Sequence, residues 1–238
     1  MAAAPATDAH GAPLPHGGRP PGPAPARPVA GLLLAAGGGR RLGGRPKALL
    51  PYRGRPLIEH AARALREGGC APVHVVLGAA EREVRDLAAL PGCVLVGNPR
   101  WPGGMGTSLR AGLESLAGTG AAAALVLLVD QPGIGAAAVA RVAAAYRDPR
   151  SLATASYGGG RGHPVLLGRG HWAAVAADAE GDRGARVYLK AHRNEIVTVE
   201  CGDLASAYDI DTEEDLWRLA PAPPPPSPAQ EPPPATPH

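Results

Sequence analysis

The chain of 238 residues carries 45% hydrophobic and 19% charged residues, enough apolar material for one α/β domain around a buried core. A formal net charge of +3, no long basic run and 3% aromatic residues exclude a surface that tracks nucleic acid, and no apolar run reaches the length of a membrane-spanning helix. Cys70, Cys93 and Cys201, odd in number and without CxxC spacing, read as reduced thiols of a cytoplasmic protein.

Residues 1–28 are rich in Ala, Pro and Gly and poor in Leu, Ile and Val, which predicts a disordered N-terminal tail. Val29–Ala35 is a short apolar run ended by glycines, a buried strand. Leu57–Glu67 has helical spacing and stops at Gly68-Gly69; Val73–Leu77 is the next strand; residues 80–90 are helical and end before Pro91. A short strand over 94–96 leads to a helix over 105–116, then to an apolar strand over 122–129 closed by Asp130. Residues 136–147 read as helix, 152–156, 165–167 and 195–200 as strands, and 171–177, 184–192 and 212–219 as helices. Residues 220–238, with prolines at 223–226, form a second expected tail. Strand and helix alternate at the βαβ period. The expectation is therefore one α/β domain over 29–219, a Rossmann-like three-layer fold with a mostly parallel central sheet. Ligands of such sheets bind beyond the carboxyl ends of the strands, so chemistry is sought just after each strand.

After the first strand comes Leu34-Ala35-Ala36-Gly37-Gly38-Gly39-Arg40-Arg41-Leu42-Gly43-Gly44-Arg45-Pro46-Lys47. Glycines let backbone N–H groups approach phosphates, and Arg41 and Lys47 add charge for a triphosphate. The loop is not a Walker A sequence, and its Gly37, Gly39 and Gly43 match GxGxxG only loosely in a chain with 33 glycines. Asn98 follows a strand, and Ser108 stands in the first turn of a helix after Trp101. Asp130 ends an apolar strand, where a carboxylate either caps a turn or holds Mg²⁺ together with substrate phosphates. Farther on stand Arg161-Gly162-His163-Pro164, Gly181-Asp182-Arg183-Gly184-Ala185-Arg186 and Asp209-Ile210-Asp211-Thr212, with Asp215 placed to cap the last helix with Thr212.

The string LAAGGGRRLGGRPKALL resembles the signature of the nucleotidyltransferase superfamily that includes the molybdenum cofactor cytidylyl- and guanylyltransferases, the MobA-like group. It departs in having Leu42 where Met is common and one extra residue before Pro46-Lys47; neither change removes a cation. The other segments follow in the family's order across residues 29–219. The resemblance implies that Leu34, Ala35, Ala36, Gly37, Gly38, Gly39, Asn98 and Ser108 bind the nucleotide. Arg41, Lys47 and Asp130 become catalytic, Asp130 and Asp211 hold Mg²⁺, and His163, Asp182 and Arg186 meet the acceptor. The implied reaction moves CMP from CTP to the phosphate of a molybdopterin-type cofactor and releases pyrophosphate. Cytosine is the expected base because cytosine-using relatives carry L-A-A-G, as here at Ala36. A molybdenum hydroxylase or its maturation factor is the implied recipient. Alternatives are transfer of guanylyl groups or to sugar phosphates, an NADPH-dependent oxidoreductase of the nicotine blue type, and a non-catalytic cofactor carrier.

Overall fold

The computed structural model describes residues 29–220, so the tails expected at 1–28 and 220–238 lie outside the described residues, apart from Ala220. In chain order the elements are β1 Val29–Ala35, β2 Pro51–Tyr52, β3 Arg55–Pro56, α1 Leu57–Glu67, β4 Val73–Leu77, α2 Glu81–Leu87 and β5 Cys93–Gly97. There follow α3 Met105–Ala117, β6 Ala123–Leu128, α4 Ala136–Ala143, β7 Leu152–Tyr157, β8 Gly160–Gly168, α5 Trp172–Asp178, α6 Arg186–Ala191 and β9 Ile196–Glu200.

Seven strands form one sheet in the order β5-β4-β1-β6-β8-β7-β9. All neighbouring pairs are parallel except the two that involve β8, which runs against both β6 and β7. The sequence VAGLLLA of β1 is apolar at successive positions because both its faces are covered. Leu33 and Ala35 face a core shared with Leu57 and Ile58 of α1, Val84 of α2 and Val139 and Val142 of α4. Leu32 and Leu34 face the opposite core with Leu109 and Leu113 of α3, Trp172 of α5 and Tyr188 of α6. Each fully buried leucine of β1 contributes about 2 kcal/mol through the apolar area removed from water.

β8 is the main departure from the simple alternation. Gly158 and Gly159 both have positive φ, 59° and 87°, and turn β7 back on itself as a hairpin. The hairpin register then jumps, with Thr154 paired to Val165 but Ala155 paired to Gly162. His163 and Pro164 are the surplus residues of this irregularity, which re-aims His163. The expected strand over 165–167 is thus the end of a nine-residue strand. The expected helix over 136–147 stops at Ala143, and tighter bonds from Ala145 N to Val142 O and from Tyr146 N to Ala143 O replace it. The last helix is a 3₁₀ helix, Glu213–Leu219.

β1 has β4 on one side and β6 on the other, so chain connections leave it in opposite directions. The crevice above β1 and β6 is where a fold of this topology accepts ligands.

Candidate active site

The loop beyond β1 is fixed by its own backbone. Gly39 has φ +61°, and a Cβ there would stand 1.8 Å from the Arg45 carbonyl oxygen, so only glycine closes this turn. Leu42, fully buried, pins the loop to the core, and Gly39 O accepts from both Leu42 N and Gly44 N. Arg45 Nη2 donates to Glu213 Oε1 at 2.8 Å and ties the loop to the C-terminal 3₁₀ helix. On its other side, Gly38 and Gly78 both press on Trp101. Trp101 therefore packs against the glycine loop and also lines the cavity that the loop encloses.

That cavity, about 200 Å³, is bounded by Leu34, Ala36, Gly37, Gly38, Arg40, Lys47, Trp101, Gly104, Met105, Ser108, Leu128, Val129, Asp130 and Asp182. A second cavity of about 760 Å³ opens beside it, and Leu34, Met105, Leu128, Asp130 and Asp182 line both. Asp130 therefore stands at the junction of a small glycine-walled chamber and a larger one. The larger chamber contains His163, Asp182 and Arg186, all three residues expected to meet an acceptor.

Lys47 Nζ donates to Asp130 Oδ2 at 2.7 Å and to Asp211 Oδ1 at 2.5 Å. Burial works against charge on Lys47, but the charges and hydrogen bonds of Asp130 and Asp211 outweigh it and raise its pKa above the ordinary lysine value. Ile210 N donates to the Asp130 carbonyl, which holds the 209–211 segment against the end of β6. Gln131 Nε2 donates to Asp209 Oδ1 at 2.8 Å. Burial raises the pKa of Asp209, the Gln131 bond opposes this, and the neighbouring charges of Asp130 and Asp211 add to it. Asp215 Oδ2 accepts from Asp211 N, Thr212 N and Thr212 Oγ1, so Asp215 and Thr212 cap the chain turn that presents Asp211. These bonds hold the Asp215 carboxyl below the usual carboxylate range.

Asp130 Oδ1 is buried and has no hydrogen-bond partner. Its other oxygen and Asp211 converge on one point, now bridged by Lys47. Among the described residues no group of three His, Cys, Asp or Glu forms a ready-made cage. Two carboxylates, one with an unsatisfied oxygen, fit Mg²⁺, which takes one or two carboxylates and completes its shell with substrate phosphates and water.

The remaining expected residues fall in several places. Ala36, Gly37, Gly38 and Ser108 line the small chamber, whereas Ala35 is buried in the core behind it. Gly39 shapes the loop rather than the wall. Asn98 is buried and lines neither chamber; its Nδ2 donates to Thr107 Oγ1 and Ser108 Oγ, and its Oδ1 accepts from Arg100 N. It positions the start of α3 and, through it, Ser108. Arg41 is 78% exposed and stands 3.9 Å from Asp211, while the cation of this turn that lines the chamber is its neighbour Arg40. Burial pushes the His163 imidazole down to about 4 against the opposing charge of Asp209, so it is neutral at physiological pH. Arg161, Lys190 and Arg193, together with Gln131 and Thr154, line the larger chamber and were not singled out from sequence. All three cysteines are free, and burial pushes Cys70 up to about 12, an inert core thiol. No helix of the described residues is long and apolar enough to cross a membrane.

The chain is 42% identical over 198 residues to nicotine blue oxidoreductase of Paenarthrobacter nicotinovorans, covering 80% of this chain and 96% of that protein. It is 29% identical over 206 residues to the molybdenum cofactor guanylyltransferase of Mesorhizobium japonicum, covering 82% of this chain and 95% of the other. Among solved structures, the homolog of Mycobacterium tuberculosis Rv0371c from Mycobacterium sp. strain JC1 superposes with a TM-score of 0.71 at 32% identity, over 80% of this chain and 94% of that one. Rv0371c itself, in a complex with manganese, superposes at 0.62 and 28% identity, over 81% and 97%. The family described as the MobA-like NTP transferase domain matches residues 31–196, and the chain belongs to it.

Proposed function

We propose that the protein transfers a nucleotidyl group from a nucleoside triphosphate to the phosphate of a molybdopterin-type acceptor, with CTP as donor. The observation that carries the reading is Asp130 at the junction of two chambers, one walled by glycines and Lys47, the other by cations and His163. An in-line displacement needs two substrates positioned with the attacking and leaving oxygens on opposite sides of the phosphorus, and two chambers that adjoin at Asp130 suit that arrangement.

In this reading the glycine loop and Ser108 seat the triphosphate, and Lys47 and Arg40 neutralise the pyrophosphate as it leaves. Arg41, exposed beside Asp211, reaches the same phosphates from the mouth of the site. Asp130 and Asp211 would hold Mg²⁺, which when bound supplies charge neutralisation at the α-phosphate. An oxygen of the acceptor phosphate forms the new bond to the α-phosphorus, and the bond to the β-phosphate oxygen breaks. The acceptor phosphate is already ionised near neutral pH, so no general base is required. His163, neutral, offers a hydrogen bond rather than a charge to the acceptor. Ala36, on the wall of the small chamber, supports cytosine over guanine through the family pattern L-A-A-G.

Pyrophosphate release from CTP, GTP and ATP, with Mg²⁺ and with or without molybdopterin, tests this reading. Release from CTP that depends on the acceptor is expected. Release from GTP alone moves the assignment to guanylyl transfer, and acceptor-independent release removes molybdopterin from it.

The similarity to nicotine blue oxidoreductase favours one second reading, an NADPH-dependent reductase in which the loop holds a dinucleotide. Against it, Leu77-Gly78-Ala79 at the end of β4 carries neither an acidic residue for a ribose hydroxyl nor an arginine for the 2′-phosphate of NADPH.

A further inference from the structure

We infer that the Lys47 ammonium holds the place of the divalent cation between Asp130 and Asp211, and that the phosphates of the nucleotide draw it off, so that metal and nucleotide enter the site together. This rests on the transfer reading above, which supplies both the metal and the nucleotide.

Two roles fall on one nitrogen. Lys47 Nζ stands 2.7 Å from Asp130 Oδ2 and 2.5 Å from Asp211 Oδ1, the point on which the two carboxylates converge. A cation held by both carboxylates has to stand at that point too. An ammonium and a divalent ion cannot share it, because at such a separation their repulsion cancels what each gains from the acids. Lys47 also lines the small chamber, whereas Asp211 lines only the larger one. The nitrogen that meets phosphates in the small chamber is therefore engaged by a carboxylate of the larger.

The rest of the loop is held in the same way. Arg41 Nη1 lies 3.9 Å from Asp211 Oδ2, and Arg45 Nη2 donates to Glu213 Oε1 at 2.8 Å. Three cations of the turn after β1 thus face Asp211 and Glu213, which stand towards the loop as phosphates would. That acidic segment is itself fixed, since Asp215 Oδ2 accepts from Asp211 N and Thr212 N. Lys47 is the member suited to change partner. Its flexible four-carbon stem carries a point charge, whereas the planar fork of Arg45 is held at once by Leu42 O and Glu213.

The exchange balances in charge. Phosphates take over the ammonium, and the two carboxylates it leaves take the divalent ion that phosphates also ligate. Without phosphates the ammonium has no better partner. The apparent affinity for metal then falls by the fraction of molecules in which Lys47 is away from the carboxylates.

Titration of the full chain with Mn²⁺ in the absence of nucleotide, followed by the electron paramagnetic resonance of the free ion, reads the competition without turnover. Lys47→Met is expected to bind Mn²⁺ at least ~10-fold more tightly than the wild type, and Lys47→Met/Asp211→Asn to lose that gain. Equal or weaker binding by Lys47→Met overturns the place-holder, as does a gain that survives the loss of Asp211. A second measurement needs no change at position 47. The chain has two lysines, Lys47 and Lys190, so carbon-13 lysine labelling gives two side-chain signals, told apart with Lys190→Arg. The Lys47 signal should stay in place with Mg²⁺ alone and move when CTP is added. A signal that moves fully with Mg²⁺ alone, or stays in place when calorimetry shows CTP and Mg²⁺ bound, overturns the exchange. Tighter Mn²⁺ binding by Lys47→Met, in a chain whose wild type releases no pyrophosphate from any nucleotide, leaves the place-holder standing and removes the transfer reading.

Discussion

Asp130 combines a hydrogen-bonded oxygen, taken by Lys47, with an oxygen that nothing in the protein satisfies. Asp130→Ala should lower nucleotidyl transfer at least ~100-fold while the circular dichroism spectrum stays that of the wild type, because its loss removes charge stabilisation and not packing. A variant that keeps the wild-type rate takes Asp130 out of the mechanism. Lys47 is the counter-ion of a cluster containing Asp130, Asp209 and Asp211. Lys47→Ala leaves those carboxylates uncompensated and should cost about 2–3 kcal/mol in urea unfolding, in addition to the loss of turnover. Because the folded pKa of Lys47 is raised, its contribution is full below the ordinary lysine pKa of about 10.4. It is lost only as pH rises through the elevated folded value, so the cost of Lys47→Ala should be flat across neutral pH. His163 has the opposite sign. Its folded pKa is depressed to about 4, so the unfolded chain takes up a proton first as pH falls below about 6.5. Stability present above that value should decline between pH 6.5 and 4. His163→Gln should flatten this decline in a series of thermal melts, and an unchanged slope would contradict the depressed pKa of the half-buried imidazole.

Among the elements, β1, α1 and β4 have the limits that the sequence predicts, because β1 is apolar throughout, β4 is apolar but for His74, α1 is amphipathic, and glycine follows each within two residues. The β7–β8 hairpin was not legible. Its signal is the pair Gly158-Gly159, and in a chain of 33 glycines a glycine pair does not stand out. The hairpin matters to the site, since the register jump at Thr154/Ala155 is what brings His163 to the larger chamber. A comparable dependence holds at Gly104, whose φ is +96° and where a Cβ would stand 2.4 Å from the carbonyl carbon of Gly181. This close approach seats the 181–184 segment on the start of α3 and puts Asp182 on the wall of both chambers. Gly104→Ala should displace that segment and raise the KM of both substrates several-fold, with a loss of about 1–3 kcal/mol in stability. A rise in one KM alone would mean that Asp182 serves only that substrate.

At the scale of the whole molecule, the sheet puts the β1 loop, the end of β6 and the returning 209–211 segment at one edge. The covering helices α3 and α6 close the chambers over them. Gly37, Gly38 and Asp130 stand in contiguous motifs whose type and place after a strand local sequence carries, and Asp211 stands in the segment before the last helix. Arg161, Lys190 and Arg193 were not legible, because local sequence does not distinguish a cation that faces a chamber from one that faces solvent, and the three come from β8, α6 and the turn after α6. The Lys47–Asp211 contact joins residues 164 positions apart, and only the fold brings them together. Membership of the MobA-like family fixes the architecture, while the relatives' names divide between nucleotidyl transfer and oxidation. One preparation of the chain, assayed side by side for pyrophosphate release from CTP with Mg²⁺ and molybdopterin and for NADPH oxidation with a quinone-like acceptor, decides between them. Acceptor-dependent pyrophosphate release that Asp130→Ala abolishes, with NADPH untouched, is the predicted result. NADPH consumption with no pyrophosphate from any nucleotide would contradict the transfer mechanism.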